Sequence, residues 1–154
     1  MIKTYEGKLQ KNQGKIAIVS ARFNSIVVDR LVEGAIDVLI RHNFDEEQIE
    51  HYKVPGAFEM PVMTKKILES GKYTAIIALG AVVRGATPHF DYVSAEVSKG
   101  LATLSMQYTT PLGFGVLTTD NMDQAIERAG SKAGNKGADA AMTVIEMIDL
   151  FKQL

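Results

Sequence analysis

Apolar residues along this chain alternate between short unbroken runs and stripes spaced three or four residues apart. The runs have the length and β-branched content of strands, and the stripes have the period of helices packed on one face. Ile16-Ala17-Ile18-Val19-Ser20 predicts a first strand. Val28, Leu31, Val32, Ala35 and Leu39 predict a helix running to about Asn43. Asn24 or Ser25 suits its cap, and Asn43 tolerates the left-handed angles of a helix exit. Ile49–Val54 reads as a second strand, followed by a helix with Pro61 in its first turn and Gly71 beyond its end. Thr74 to Val83 has the continuous apolar character of a strand buried on both faces. Val93, Val97, Leu101 and Leu104 form the stripe of the next helix. Phe114–Thr118 is a fourth strand, Met122, Ala125, Ile126 and Ala129 mark the helix after it, and Ala141, Val144, Ile145 and Ile148 belong to a last helix from about Lys136.

This rhythm predicts an α/β fold, a parallel sheet covered by helices on both faces. The glycine-rich stretch Gly130 to Gly137 reads only as a link between two helices. Ile2–Leu9 lies outside the alternation and admits two readings. It is an edge strand, able to add to a neighbour's sheet, or a frayed terminus.

Composition narrows the function. A chain of 154 residues suits one domain, residues 1–154, that buries roughly 70% of its unfolded surface. A net charge of −1 gives no basic face for nucleic acid or membrane. No apolar stretch is long enough to span a bilayer, and Met1-Ile2-Lys3 opens no signal-peptide pattern, so the expected location is cytoplasmic. Cysteine is absent, and the three histidines, His42, His51 and His89, show no ligand spacing; neither disulfides nor a protein-bound metal are expected.

Ligands of open parallel sheets bind beyond the carboxyl ends of the strands. The strands here end in Phe23-Asn24, in Ala57-Phe58-Glu59, in Gly85 to His89 and in Thr118-Thr119-Asp120. In the third of these, Thr87 suits an N-cap and Pro88 the first helical position. Free N–H groups and the positive end of the helix dipole then favour an anion, with His89 in the same turn. An aromatic face, a carboxylate and an anion turn would suit a planar heterocycle with a polyhydroxyl arm and a phosphorylated partner. Plainer roles exist for each residue. Phe23 can shield the sheet edge, Glu59 can complement a helix dipole, Gly85 can serve a tight turn, and His42 and His51 can be solvated. His89 has no structural role to fill, and neutral imidazole suits proton transfer. Arg128 lies about 10 Å along its helix from the ligand edge, within reach of its own site or an adjacent subunit's, or in a surface ion pair. Gly113-Phe114-Gly115 lacks a dinucleotide spacing, and Gly134-Asn135-Lys136 lacks that of a P-loop, which disfavours NAD and ATP.

Arg22-Phe23-Asn24, Pro55 to Pro61, Gly80 to Val93, Phe114 to Thr118 and Gln124 to Gly130 together resemble the lumazine synthase family, in order and over nearly the whole chain. The resemblance implies a flavodoxin-like three-layer α/β/α sandwich with a four-stranded parallel sheet. It implies a condensation without metal or organic cofactor, joining 5-amino-6-(D-ribitylamino)uracil to 3,4-dihydroxy-2-butanone 4-phosphate in the penultimate step of riboflavin biosynthesis. By that resemblance Phe23 stacks on the pyrimidine, Ala57, Phe58 and Glu59 hold it and the ribityl chain, and Ala81, Val82 and Val83 add backbone contacts. Ala86, Thr87 and Arg128 meet the phosphate, Phe114 closes the ring pocket, and His89 moves protons. Phe114 and Arg128 would come from a neighbouring subunit. Pentamers, twelve of them in an icosahedral shell, are implied as the homo-oligomer, with riboflavin synthase as a candidate partner. A non-catalytic lumazine- or flavin-binding homologue, or a purely shell-forming one, is the competing expectation.

Overall fold

Strands form where the apolar runs fall, and each is followed by its helix. The computed structural model describes residues 1–154. In chain order the elements are β1 (Lys15–Ala21), α1 (Ser25–Arg41), β2 (Ile49–Val54), α2 (Met60–Glu69), β3 (Tyr73–Val83), α3 (His89–Tyr108), β4 (Leu112–Thr119), α4 (Met122–Glu127), β5 (Ala129–Ser131), β6 (Gly134–Asn135) and α5 (Lys136–Lys152). Single helical turns at Glu46–Gln48 and Ala57–Glu59 precede β2 and α2. The main sheet has the order β2-β1-β3-β4, and its registered pairs are all parallel. Helices cover it on both sides, giving the three-layer flavodoxin-like sandwich.

Alternate residues of a strand face opposite sides, so both faces of the central strands must be apolar. Ile16, Ile18, Ile77 and Leu79 pack with Val28, Leu31, Ala141 and Ile145 of α1 and α5. Ala17, Val19, Ile76 and Ala78 pack with Met60 of α2 and Val97 and Leu101 of α3. Each fully buried Ile or Leu contributes about 1.5–3 kcal/mol relative to an exposed one. Where α5 crosses α1, a β-carbon on Gly137 would lie 2.0 Å from the Leu31 carbonyl oxygen, so only glycine allows this approach. Asn43 and Gly71 leave α1 and α2 at φ 68° and 69°, the left-handed exits their residue types favour.

The structure corrects three local expectations. Ile2–Leu9 is not a frayed terminus: the Lys8 N–H donates to Asp149 at 2.7 Å, Gln10 donates to the same carboxylate, and Gln153 donates to the Glu6 carbonyl at 2.8 Å, while the segment stays outside this chain's own four-stranded sheet. A nearly buried acceptor on α5 therefore captures the segment. Gly130 to Gly137 is more than a link, because β5 and β6 pair antiparallel there, with Gly130 and Gly134 at φ 104° and 79°. The helix after β4 stops at Glu127, before the predicted Ala129, which instead opens β5. Asn135 ends this hairpin by capping α5, accepting from the N–H groups of Gly137 and Ala138 at 2.8 and 3.0 Å.

At the amino ends of the strands, Glu50 gathers a polar cluster. Lys15 donates to one carboxylate oxygen at 2.6 Å, and the phenols of Tyr52 (3.1 Å) and Tyr73 donate to the other. This cluster lies at the opposite end of the sheet from the residues of interest for chemistry.

Candidate active site

Three strand ends are tied together at the carboxyl edge. The Arg22 and Phe23 N–H groups donate to the carbonyls of Val54 (2.8 Å) and Pro55 (3.1 Å), joining the exit of β1 to that of β2. Of the two cap candidates, Asn24 rather than Ser25 holds the N-cap position of α1, but its side chain makes no capping bond. It sits in left-handed angles (φ 62°, ψ 39°) and donates its amide to the Ala81 carbonyl of β3 at 2.8 Å. That geometry turns Phe23 outward, where the residue is 72% exposed. Across from it, the Ala57–Glu59 turn buries Ala57, half-buries Glu59 and leaves Phe58 62% exposed.

The result is an open cleft of about 690 Å³. Of the residues singled out in the sequence, Phe23, Ala57, Phe58, Glu59, Ala81, Val82, Val83, Thr87 and His89 line it. The cleft also takes in Phe90, Tyr92 and Val93. The spacing of Tyr92 and Val93, three and four residues after His89, places them on one helix face with it, which is the signal that would have found them.

The start of α3 lies one residue later than expected. His89 is the first helical residue, and Pro88, at φ −70° and ψ 3°, occupies the cap position. Its carbonyl accepts from the Asp91 N–H at 3.0 Å, while proline offers no side-chain acceptor to the first turn. Thr87, freed from capping, faces the cleft beside N–H groups that no side chain satisfies, an arrangement suited to an anion.

Residues 13–152 match the family model for 6,7-dimethyl-8-ribityllumazine synthase. The chain belongs to this family. Curated relatives bearing that name include one from Nitratidesulfovibrio vulgaris (strain DP4), 60% identical over 99% of this chain and 98% of its own length. One from Sulfurimonas denitrificans is 59% identical over 99% and 100%, and one from Chloroherpeton thalassium 56% over 99% and 99%.

Three of the residues expected at a lumazine synthase site lie outside this chain's cleft lining. Ala86 is exposed in the loop beside it. Phe114 pairs in register with Ala78, three residues before Ala81, which at strand rise is about 10 Å short of the nearest cleft-lining position on β3. The residue is 47% exposed on the outer strand. Arg128 ends α4, where its guanidinium donates to the Gln124 carbonyl at 2.9 Å and lies 3.9 Å from Glu127. No three His, Asp or Glu side chains converge as a metal site, and no helix is long and apolar enough to cross a membrane.

Proposed function

We propose that this cleft condenses 5-amino-6-(D-ribitylamino)uracil with 3,4-dihydroxy-2-butanone 4-phosphate to give 6,7-dimethyl-8-ribityllumazine, phosphate and water. The observation that carries this reading is one cleft that joins two aromatic faces and a carboxylate to an uncapped helix start beginning with His89. Family membership along the whole chain favours the enzyme over a binding-only or purely structural homologue.

Phe23 stacks on the pyrimidine ring, and Phe58 and Glu59 hold it and the ribityl arm with Ala57. The strand backbone at Ala81, Val82 and Val83 fixes the ring edge. Ala86, Thr87 and the free N–H groups of the α3 start receive the phosphate. The amine attacks the ketone carbon, and loss of water leaves an imine. Elimination then breaks the bond from carbon to the phosphate oxygen, with a proton lost from the adjacent hydroxyl-bearing carbon, and the resulting enol tautomerises to a ketone. Attack of the second amine on this new carbonyl, with loss of a second water, closes the ring. His89 moves protons in these steps, contributing about 10²–10⁴-fold. Holding the two substrates together is the larger effect, worth up to about 7–11 kcal/mol in well-oriented systems.

The site is completed by a second copy of the chain. Phe114 and Arg128 stand away from this chain's cleft on exposed surface, so a neighbour's Phe114 covers the ring and its Arg128 meets the phosphate. Pentamers supply such neighbours, and the short Gly130–Gly137 hairpin, without insertion, suits pentamers that assemble into an icosahedral shell in the cytoplasm. Purified protein mixed with both substrates should produce lumazine fluorescence faster than the spontaneous reaction; no excess over background refutes the enzyme assignment. Light scattering that finds only isolated pentamers refutes the shell.

A further inference from the structure

Arg84 is the residue by which the chain leaves β3, and its side chain reaches three separate places. The Nε donates to Asp120, just beyond β4, at 3.2 Å. The Nη1 donates to Asp91, in the first turn of α3, at 3.3 Å. The guanidinium also lies over the Phe90 ring, 4.3 Å from its centroid. Its backbone N–H meanwhile continues the sheet ladder, donating to Thr119 at 2.8 Å. Gly85 to His89 thus form a loop anchored at both ends by one side chain.

Stability does not account for this arrangement. The Asp91 and Asp120 side chains are 60% and 70% exposed, and ion pairs so exposed contribute little on their own. What the planar fork provides is direction, because it meets two carboxylates and an aromatic face at fixed angles, which a lysine ammonium does not do. It also neutralises two negative charges that would otherwise stand beside an anion site. Asp120 is itself held, its N–H donating to the Gln124 side chain at 2.8 Å, and Asn121 caps α4. The start of α3 is therefore braced against the β4–α4 corner.

We propose that Arg84 is a positioning residue for the condensation, holding Thr87 and His89 in the geometry that receives phosphate and transfers protons. The kinetic part of this proposal rests on the phosphate placement given above. The test compares assembled wild-type protein with Arg84→Gln, Arg84→Lys, Asp120→Asn and Thr87→Ala. The measurements are hydrogen exchange by mass spectrometry, thermal melting, kcat, and KM for each substrate.

Arg84→Gln should speed exchange of the amides of residues 85–92 and leave the rest of the chain unchanged. It should raise KM for the butanone phosphate about three- to tenfold, an effect the size of one or two lost polar contacts. KM for the pyrimidine and the melting temperature should hardly move. Arg84→Lys should recover part of the KM through its charge, but not the exchange protection. Asp120→Asn should loosen the same amides. Unaltered exchange at 85–92 in Arg84→Gln overturns the proposal, as does an equal rise in both KM values accompanied by a lowered melting temperature. If exchange rises but neither Arg84→Gln nor Thr87→Ala changes the KM for the butanone phosphate, Arg84 is upheld as the holder of the turn and the phosphate placement fails.

Discussion

The side-chain amide of Asn24 donates to the carbonyl of Ala81 across 2.8 Å, stitching the exit of β1 to the end of β3. The bond depends on a left-handed backbone that asparagine tolerates and alanine resists. Asn24→Ala should destabilise the fold by about 1–3 kcal/mol, combining the lost bond with backbone strain. Asn24→Gly relieves the strain alone and should destabilise less, while both variants raise KM for the pyrimidine by loosening Phe23. Denaturant unfolding and substrate titrations check the two effects separately.

His89→Ala should slow turnover by about 10²–10⁴-fold and still leave catalysis above the spontaneous reaction. Approximation of the two substrates survives that substitution. Activity indistinguishable from the uncatalysed rate would invert the ranking of positioning over proton transfer.

Arg128→Ala should raise KM for the butanone phosphate and leave KM for the pyrimidine unchanged. A sharper check of its placement is co-assembly of His89→Ala with Arg128→Ala subunits. Sites built from two chains regain both groups in a fraction of the interfaces, so mixed assemblies should exceed the sum of the separate activities. No gain on mixing means that Arg128 serves its own chain.

Glu50 predicts an acid-sensitive step far from the cleft. Hydrogen bonds from Lys15, then Tyr73, hold its carboxylate down to about 2, against an ordinary value near 4.5. A carboxylate depressed on folding stabilises the protein above its unfolded value, and that stabilisation is lost as pH falls through the folded one. Stability should therefore decline between about pH 4.5 and 2, and Glu50→Gln should flatten that part of the curve. Melting temperatures across the range, with turnover at neutral pH as the control, measure it.

Gly137→Ala should destabilise by at least about 1–3 kcal/mol, the usual range for overpacking, because the clash is with backbone rather than a movable side chain. Chemical unfolding of the variant reads the loss directly, and a neutral result would mean that α5 slides along α1 without cost.

The layers were legible from the chain because apolar period and run length differ so plainly between Thr74–Val83 and the Val93–Leu104 stripe. The cleft was legible for a related reason: parallel strands deliver whatever follows them to one edge, so Phe23, Phe58 and His89 could be placed together before any coordinates. Four features were not. The β5–β6 hairpin carries no alternating pattern, because strands of three and two residues are set by glycine angles rather than by burial. The course of Ile2–Leu9 depends on Asp149, distant in sequence and polar. Arg84 read only as part of a motif, since its role lies in a three-way contact among residues brought together by β3, α3 and the β4 exit. Thr87 was misplaced by one position because threonine is a better cap than proline by propensity, and proline's fixed φ let the turn close one residue later.

On the function proposed above, Phe23 and Phe58 stay open to admit a ring, so the fold does not hide them. With Ile26 and Phe114 they give the newly made chain greasy surface that its own core does nothing to cover. In the assembly proposed above, the lone subunit is the form that carries this exposed apolar surface, so its hazard is adhesion to other nascent chains until copies meet.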